Sequence, residues 1–235
     1  MLIADELILL TLEDVTGQPV KGLRNLATRD VLVGGALLAE LALAGAVEVH
    51  QQSVWRSPKV RPVQAQVADD AGLQHAYGIV CERPRTPPKV VKRIGTGMTA
   101  YLIGQLVDQG LLRAEVRKGL FFSTTFYPVL DPRSKQPVRD QIAGVLLRGH
   151  TPDERTGTLI ALLSAVDQAH RLFVSPTVSP RVVKKRAKEI ARADWAAGAV
   201  REAVIAARQG VESGFSDSGG DGGGDGGGDG GGGGD

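Results

Sequence analysis

The chain has 235 residues, of which 42% are hydrophobic and only 4% aromatic, enough apolar material for one large domain. Alanine, leucine and valine dominate, which favours helices packed through small aliphatic side chains over a β-sandwich. The single cysteine, Cys81, excludes an internal disulfide, and the acidic sequence MLIADELILLTLED does not have the charge pattern of a secretory signal peptide. We therefore expect a mainly helical protein in the reducing cytoplasm.

The net charge of +2 hides an uneven distribution along the chain. Residues 211–235 contain six acids and no base, so residues 1–210 hold all 28 bases but only 20 acids, a net charge of +8. This basic part favours anionic partners such as phospholipid headgroups or nucleic acid, although a basic surface also serves solubility alone. Because the Gly/Asp-rich residues 211–235 cannot bury apolar surface, we expect a disordered tail after one domain of residues 1–210.

The first predicted elements are a helix over residues 2–12, a turn at 17–19 and a long apolar segment. The seventeen residues 31–47 contain one charge, Glu40, and just reach the length of a membrane span. An acid at the centre of a bilayer costs on the order of 3 kcal/mol, which argues against a span. We expect this segment to form the buried central helix of a bundle, with Glu40 held by a backbone or basic partner; a catalytic role for Glu40 is the alternative.

Short extended pieces and helices follow in the middle of the chain. Alternating apolar residues between 47 and 67 predict short strands in a region interrupted by prolines. A helix is predicted over residues 69–81, and a single longer helix over 87–108, opened by two prolines and marked by apolar residues every three or four positions.

The C-terminal half is predicted to be almost entirely helical. One helix covers residues 137–147, and in TPDERTGTLIALLSA, Thr151 as N-cap and Glu154 three residues later form a capping box. Ser179 is the predicted cap of the next helix, and a last helix runs over 196–209.

Residue spacing gives no indication of a metal site or a catalytic centre. The four histidines are far apart, none has a second ligand at metal-binding spacing, and Cys81 has no companion thiol. The sequence contains no phosphate-binding glycine motif and no nucleophile motif. We expect no metal, no cofactor and no catalytic residue.

Two other features indicate contact with an anionic surface. The first is a run of five bases without an acid among them, at the start of a predicted helix whose N-terminal dipole also attracts anions. These bases are Arg83, Arg85, Lys89, Lys92 and Arg93. A solvated charged linker is the alternative interpretation of this run.

The second feature is a hairpin predicted by LLRAEVRKGLFFSTTFYPVL, with its turn near Lys118 and Gly119. Leu120, Phe121 and Phe122 cannot all point inward if strand side chains alternate, so at least one is exposed unless a partner covers it. Together the two features predict a peripheral membrane protein whose bases contact anionic lipid and whose apolar tip inserts. The helix before the hairpin and the hairpin itself also resemble the recognition helix and wing of a winged-helix nucleic-acid-binding regulator, which is the alternative function.

Four motifs occur in the order seen in the Golgi phosphoprotein 3-like family: ELALAG at 40–45, LVDQGLL at 106–112, TTFYP at 124–128 and RTGTLIALLSA at 155–165. The resemblance covers residues 1–208. It implies a single-domain helical bundle around a buried central helix, with a protruding β-hairpin. It also implies a non-enzymatic peripheral membrane adaptor that binds phosphatidylinositol 4-phosphate and uses the hairpin for membrane contact and self-association.

The lipid pocket of that family is altered in this chain. The family's pocket tryptophan aligns with Asn25, one arginine with Gly34, and a pair of arginines with Thr96 and Thr99. Threonine and glycine cannot make the charge-assisted bidentate bonds by which arginine clamps a phosphate.

Three bases lie close in sequence to these altered positions, namely Arg29, Lys92 and Arg93. We expect them to bind anionic lipid headgroups less selectively, at the inner face of the cytoplasmic membrane. The composition, biased toward alanine, valine, arginine and glycine, is typical of a bacterial member from a high-GC genome, where Golgi cargo sorting does not apply. Expected partners are an anionic phospholipid surface and a second copy through the hairpin, with nucleic acid only under the winged-helix alternative; the sequence does not specify protein clients.

Overall fold

The computed structural model describes residues 1–50, 57–63, 67–118, 123–193 and 195–214. The predicted hairpin tip, Leu120 with Phe121 and Phe122, lies outside the described residues, as do residues 215–235 of the predicted tail.

Helices dominate the described residues, as the composition predicted. The α-helices are α1 Ile3–Thr11, α2 Leu26–Leu43, α3 Ala71–Glu82, α4 Pro87–Gly95, α5 Met98–Asp108, α6 Gln136–Arg148, α7 Glu154–Ala165, α8 Ala169–Leu172, α9 Pro180–Ala193 and α10 Trp195–Gly214. The strands form two antiparallel pairs, β1 Val47–His50 with β2 Lys59–Pro62 and β3 Glu115–Lys118 with β4 Ser123–Phe126. A short 3₁₀ helix covers Pro132–Lys135. The predicted mainly α fold with a β-hairpin is confirmed.

Helix α2 is the buried central helix of the bundle. It packs against α1, α4, α7 and α10, and most of its residues are buried. A Cβ atom on Gly34 would lie 2.1 Å from the Val91 carbonyl oxygen of α4, and one on Gly35 would lie 2.3 Å from Val204 Cγ2 of α10. The two glycines therefore allow α4 and α10 to approach α2 on neighbouring faces. In the described part of the chain, length and apolar character are never combined in one helix to the degree that a bilayer span requires.

Glu40 holds three helices together, which confirms its predicted structural role. Its Oε2 accepts a hydrogen bond of 2.6 Å from the Ile3 amide at the start of α1, and its Oε1 accepts one of 3.0 Å from Arg155 of α7. The Arg155 guanidinium also forms an ion pair of 3.2 Å with Glu6. Both acceptor oxygens of Glu40 are therefore used in packing.

The prediction of a single helix over residues 87–108 is wrong. Gly97, with φ of +79°, separates α4 from α5. The Asp30 carboxylate of α2 accepts hydrogen bonds from the Gly97 amide at 3.2 Å and the Thr99 amide at 3.3 Å. The chain breaks here because a residue from another helix caps α5, which the local apolar pattern cannot reveal.

Two helix ends also differ from the prediction. Thr151 is not the N-cap of α7: Asp153 is, and its Oδ1 accepts a hydrogen bond of 2.6 Å from the Thr156 amide. This bond lowers the pKa of the Asp153 carboxyl. Helix α10 extends beyond residue 209 to Gly214, because Val211 continues its buried apolar stripe.

Candidate functional site: an arginine cavity beside the hairpin

The β3–β4 hairpin projects from a base that backbone hydrogen bonds hold in place. Glu115 lies opposite Phe126 and Lys118 opposite Ser123, so the strands pair in register up to the ends of their described residues. Beyond the strands, the Arg113 amide donates to the Pro128 carbonyl at 3.0 Å. The hairpin therefore leaves the body of the protein through a fully paired base.

The turn after α1 fixes this base against the bundle. The Tyr127 amide donates to the Gly17 carbonyl at 3.2 Å, and the Val129 amide donates to the Asp14 carbonyl at 3.1 Å. Gly17 has φ of +66°, and a Cβ atom on it would lie 2.2 Å from the Pro128 nitrogen. Glycine is needed at this position both for its backbone conformation and for the close approach of the two segments.

A cavity of about 380 Å³ opens between this turn, the start of α2 and strand β4. Two bases, Arg24 and Arg29, line it, together with Gly17 and the segment 124–127 of the hairpin. We call it the arginine cavity. Its walls are thus cationic on the α2 side and formed by hydroxyl and aromatic residues on the hairpin side.

Arg29 is the most unusual residue of this cavity because its charge is partly buried without a counter-ion. Among the described residues, no carboxylate lies within 4.0 Å of its guanidinium, and its buried Nε has no hydrogen-bond partner. Burial lowers the pKa of the Arg29 guanidinium, and the nearby Asp30 carboxylate partly opposes this effect. Asp30 itself is occupied in capping α5. An anion that enters the cavity would therefore supply the charge partner that Arg29 lacks.

Apolar side chains are exposed around the arginine cavity. Val15 is 86% exposed in the turn that contains Gly17, and Leu26 is 50% exposed between the two arginines in sequence. Val116 of β3 is 61% exposed and lies opposite Thr125, which lines the cavity. Charge and exposed apolar surface therefore occur together at this end of the molecule.

Three of the four positions aligned from the sequence with the family's pocket have structural roles here. The Asn25 side chain caps α2 by accepting from the Ala27 and Thr28 amides at 2.8 and 3.3 Å. The backbone of α4 fills the space beside Gly34. The hydroxyl of Thr96 donates to the Lys92 carbonyl at 2.9 Å at the end of α4.

Thr99, the fourth of these positions, is 1% exposed, and its hydroxyl has no hydrogen-bond partner in the described part of the chain. It lines a small cavity together with Arg29. Arg29 and Thr99 therefore lie in the lining of one cavity, although 70 residues separate them in sequence.

The basic run seen in the sequence forms a different cavity. Four of its bases, Arg83, Arg85, Lys89 and Arg93, line a surface cavity of about 430 Å³ to which β2 contributes Lys59. We call it the basic-run cavity. Arg29 does not line it, and Lys92, although exposed on α4, lines neither cavity.

One carboxylate neutralises part of the basic-run cavity. Glu82 pairs with Arg85 at 2.7 Å and with Arg93 at 2.9 Å. Hydrogen bonds from these two arginines lower the pKa of the Glu82 carboxyl. The predicted site residues Arg29 and Arg93 thus lie in separate cavities, and only the first cavity includes the hairpin.

Sequence reasoning missed Arg24, which precedes the N-cap Asn25 and lies five residues before Arg29. The available signal was weak: two arginines five residues apart at the start of the central helix. The two arginines form a cavity only together with β4, which comes about a hundred residues later in the chain.

The described residues contain no group of three or more His, Cys, Asp or Glu side chains placed to hold a metal ion.

The fold and the cavity define a helical-bundle protein with a cationic cavity at the base of a β-hairpin. The model of the Golgi phosphoprotein 3 (GPP34) family matches residues 3–207, and the chain belongs to this family. The resemblance predicted from four sequence motifs is confirmed. No curated protein matches the chain. Membership in this family of non-enzymatic adaptors supports a Golgi-phosphoprotein-like adaptor.

Proposed function

We propose that the protein is a peripheral membrane adaptor that binds an anionic lipid headgroup in the arginine cavity while its hairpin contacts the bilayer. The observation that carries this proposal is the placement of Arg24 and Arg29 in one cavity with strand β4. A headgroup bound there would lie at the base of the element whose tip carries Phe121 and Phe122. Charge attraction and apolar insertion would then act at the same point of the membrane.

Two energetic contributions would support reversible membrane binding. A base near an anionic membrane surface contributes about 1 kcal/mol, so the two arginines together contribute about 2 kcal/mol at moderate ionic strength. Insertion of apolar side chains adds a hydrophobic contribution of about 25 cal/mol for each Å² removed from water. The exposed Val15, Leu26 and Val116 and the apolar sequence of the hairpin tip are the groups that would supply it. Peripheral proteins typically need both contributions for stable attachment.

We expect the protein to select lipids by the charge of the headgroup more than by its chemical structure. Arginine recognises phosphate strongly when two parallel hydrogen bonds form in a fixed geometry. On the alignment made from the sequence, the family's arginines correspond to Gly34, Thr96 and Thr99, and these positions cannot form a clamp of that design. We therefore propose phosphoinositide-like or other anionic headgroups as ligands, with phosphatidylinositol 4-phosphate as one lipid to be compared.

Vesicle flotation tests this proposal directly. The full chain is mixed with vesicles of neutral phosphatidylcholine, of phosphatidylcholine with 30% phosphatidylserine, or of phosphatidylcholine with about 5% phosphatidylinositol 4-phosphate. We expect flotation with both anionic compositions and none with the neutral vesicles. Equal behaviour with all three compositions would contradict a headgroup site.

The hairpin part of the proposal has its own variant, Phe121→Ser with Phe122→Ser. We expect this double variant to lose most of its flotation and any self-association, because both depend on apolar surface at the tip. Sedimentation velocity measures the self-association without vesicles. Unchanged flotation of the double variant would contradict membrane contact through the hairpin.

The winged-helix alternative predicts a different surface. The helix in the place of a recognition helix is α5, MTAYLIGQLVD, which contains no base and buries Met98, Leu102 and Leu106. A recognition helix needs exposed polar or basic side chains that reach base edges and phosphates. This difference favours the adaptor over a nucleic-acid regulator. Duplex binding that falls steeply with salt and ignores the Phe121/Phe122 variant would reverse this preference.

A further inference from the structure

The exposed side of α9 carries a stripe of four bases. Arg181, Lys185, Lys188 and Arg192 are all exposed and follow one another at spacings of four, three and four residues. This spacing places them on one side of an α-helix, along about 16 Å of its length. The opposite side of α9 is buried in the bundle. We call these four residues the α9 stripe.

Among the described residues, Glu189 is the one carboxylate within 4.0 Å of a base of the α9 stripe. Lys185, whose side chain is 79% exposed, lies 3.7 Å from Glu189. In the part of the chain that the structure describes, the other three bases have no carboxylate within 4.0 Å. Lys184, on the flank of the stripe, differs from them because it forms an ion pair of 2.6 Å with Asp167. The stripe can therefore accept an external or intrachain polyanion.

The chain itself contains a polyanion of suitable composition. Residues 215–235 hold five aspartates and no base, and most of the remaining positions are glycine. Four of the aspartates recur at every fourth position, from Asp217 to Asp229. Since this segment has few apolar side chains, electrostatic attraction is the main force by which it could associate with the bundle.

The folded part places the start of this segment near the α9 stripe. Lys184 of α9 pairs with Asp167, and Arg208 of α10 donates to the Ala165 carbonyl at 3.3 Å. Asp167 and Ala165 are two residues apart, so the end of α10 and the N-terminal half of α9 lie at the same end of α7. Helix α10 ends at Gly214, only about 9 Å of helix beyond Arg208.

The length of the segment is sufficient to cover the stripe. A glycine-rich chain of this length has a root-mean-square end-to-end distance of about 25 Å. This exceeds the length of the stripe, and attachment to α10 gives the segment an effective concentration in the millimolar range. Even a weak electrostatic contact is then occupied for a substantial fraction of the time.

We propose that residues 215–235 dock on the α9 stripe and screen it from other anionic partners. The contact is electrostatic and needs no fixed register, because glycines without side chains separate the acids. The contact involves no residue of the arginine cavity, and it does not require a membrane. At physiological ionic strength the screening length is about 8 Å, so the contact weakens as salt is added.

A spin label tests where the segment docks. The variant Cys81→Ser with Gly234→Cys carries one nitroxide near the C-terminus and keeps every aspartate. We expect the amide signals of residues 181–192 to lose about half their intensity at low salt and to recover in 0.5 M NaCl. Signal loss at residues 83–93 in place of 181–192, or no loss anywhere in the bundle, would overturn the proposal.

Charge reversal supplies the matched control. Lys185→Glu with Lys188→Glu should abolish the broadening, whereas Lys59→Glu with Lys89→Glu in the basic-run cavity should leave it unchanged. If both pairs abolish the broadening equally, the segment has no preference for α9 and the proposal fails.

The screening effect is measured on immobilised heparin, a generic polyanion. Replacement of the five aspartates by asparagine should shift elution of the full chain to a NaCl concentration higher by about 0.1 M. The shift should disappear in the Lys185→Glu/Lys188→Glu background. Unchanged elution after the asparagine replacement would show that the segment does not screen the bundle.

Discussion

The arginine cavity and the basic-run cavity are similar in size, about 380 and 430 Å³, but differ in their counter-ions. Glu82 pairs with two arginines of the basic-run cavity, whereas no carboxylate among the described residues lies within 4.0 Å of Arg29. The arginine cavity also includes the hairpin. A run of bases in the sequence thus forms a partly neutralised surface, while two separated arginines form the cavity with unpaired charge. The comparison indicates that burial and the absence of a counter-ion, more than the number of bases, distinguish a candidate binding site.

Helix α2 contributes Arg29 to the arginine cavity and α4 contributes Lys89 and Arg93 to the basic-run cavity. Gly34→Ala tests the contact between these two helices and has the largest expected effect. The new methyl group would lie 2.1 Å from the Val91 carbonyl oxygen, so α4 would have to move. We expect the free energy of unfolding to fall by about 3 kcal/mol, as measured by urea denaturation. Gly78→Ala, in open space on α3, is the control and should be neutral or slightly stabilising. Equal stability of the two variants would contradict the close contact.

Asp30 connects the arginine cavity to the start of α5, and its removal should have a smaller effect. Asp30→Ala leaves the Gly97 and Thr99 amides without their acceptor, and we expect the free energy of unfolding to fall by about 1 kcal/mol. Asp30→Asn keeps an oxygen acceptor and should recover most of this loss. The same asparagine variant removes the acid nearest to Arg29, so its binding to anionic vesicles should increase. Weaker vesicle binding by Asp30→Asn would indicate that Arg29 is not the headgroup ligand.

Glu82→Gln should remove the counter-ion of the basic-run cavity, so that its bases, like Arg29, have no carboxylate partner among the described residues. Loss of the carboxylate frees Arg93 for an external anion, whereas Arg85 keeps its hydrogen bond of 2.9 Å to the Ile79 carbonyl. We expect binding to phosphatidylserine vesicles to rise by about twofold at neutral pH. Since the Arg93 side chain is 52% exposed, added salt should reduce the increase. No increase at low salt would indicate that this cavity does not face the membrane.

The pH dependence of that effect follows from the lowered pKa of Glu82. Because the folded protein holds this pKa below the ordinary glutamate value, Glu82 stays charged throughout the pH range above that value. The ion pairs with Arg85 and Arg93 are then present, and they are lost as the pH falls through the lowered pKa. The difference between Glu82→Gln and the parent protein should therefore be constant from pH 7 to pH 5 and diminish only in more acidic solution. A difference that already disappears near pH 6 would contradict the lowered pKa.

The fold could be predicted from local patterns where one helix face or one turn determines the structure. The apolar spacing predicted α1, α3 and α6 closely, and the Glu40 position correctly suggested an acid that needs a partner; this acid is partly buried. The break at Gly97 could not be predicted, because the acid that caps α5 comes from α2. The N-cap of α7 was misplaced by two residues because Thr151 and Asp153 both have suitable side chains, and only the backbone path distinguishes them.

The candidate site could be predicted only in part, for the same physical reason. Arg29 was identified from its sequence position, yet its partners in the cavity are Arg24 and a strand about a hundred residues away. Burial of a guanidinium and absence of a nearby carboxylate are properties of the packed chain, so no local pattern contains them. The basic run was prominent in the sequence. In the folded protein, Glu82, one residue before Arg83 in the chain, neutralises part of its charge.

The most direct test compares two matched pairs of substitutions in one vesicle-binding titration. Arg24→Ala with Arg29→Ala removes the bases of the arginine cavity, and Arg83→Ala with Lys89→Ala removes two bases of the basic-run cavity that have no carboxylate within 4.0 Å among the described residues. With folding of both variants verified by circular dichroism, we expect the first pair to weaken binding to phosphatidylserine vesicles by about thirtyfold and the second by at most about threefold. Equal losses, or binding that survives the first pair unchanged, would contradict a headgroup site at the base of the hairpin.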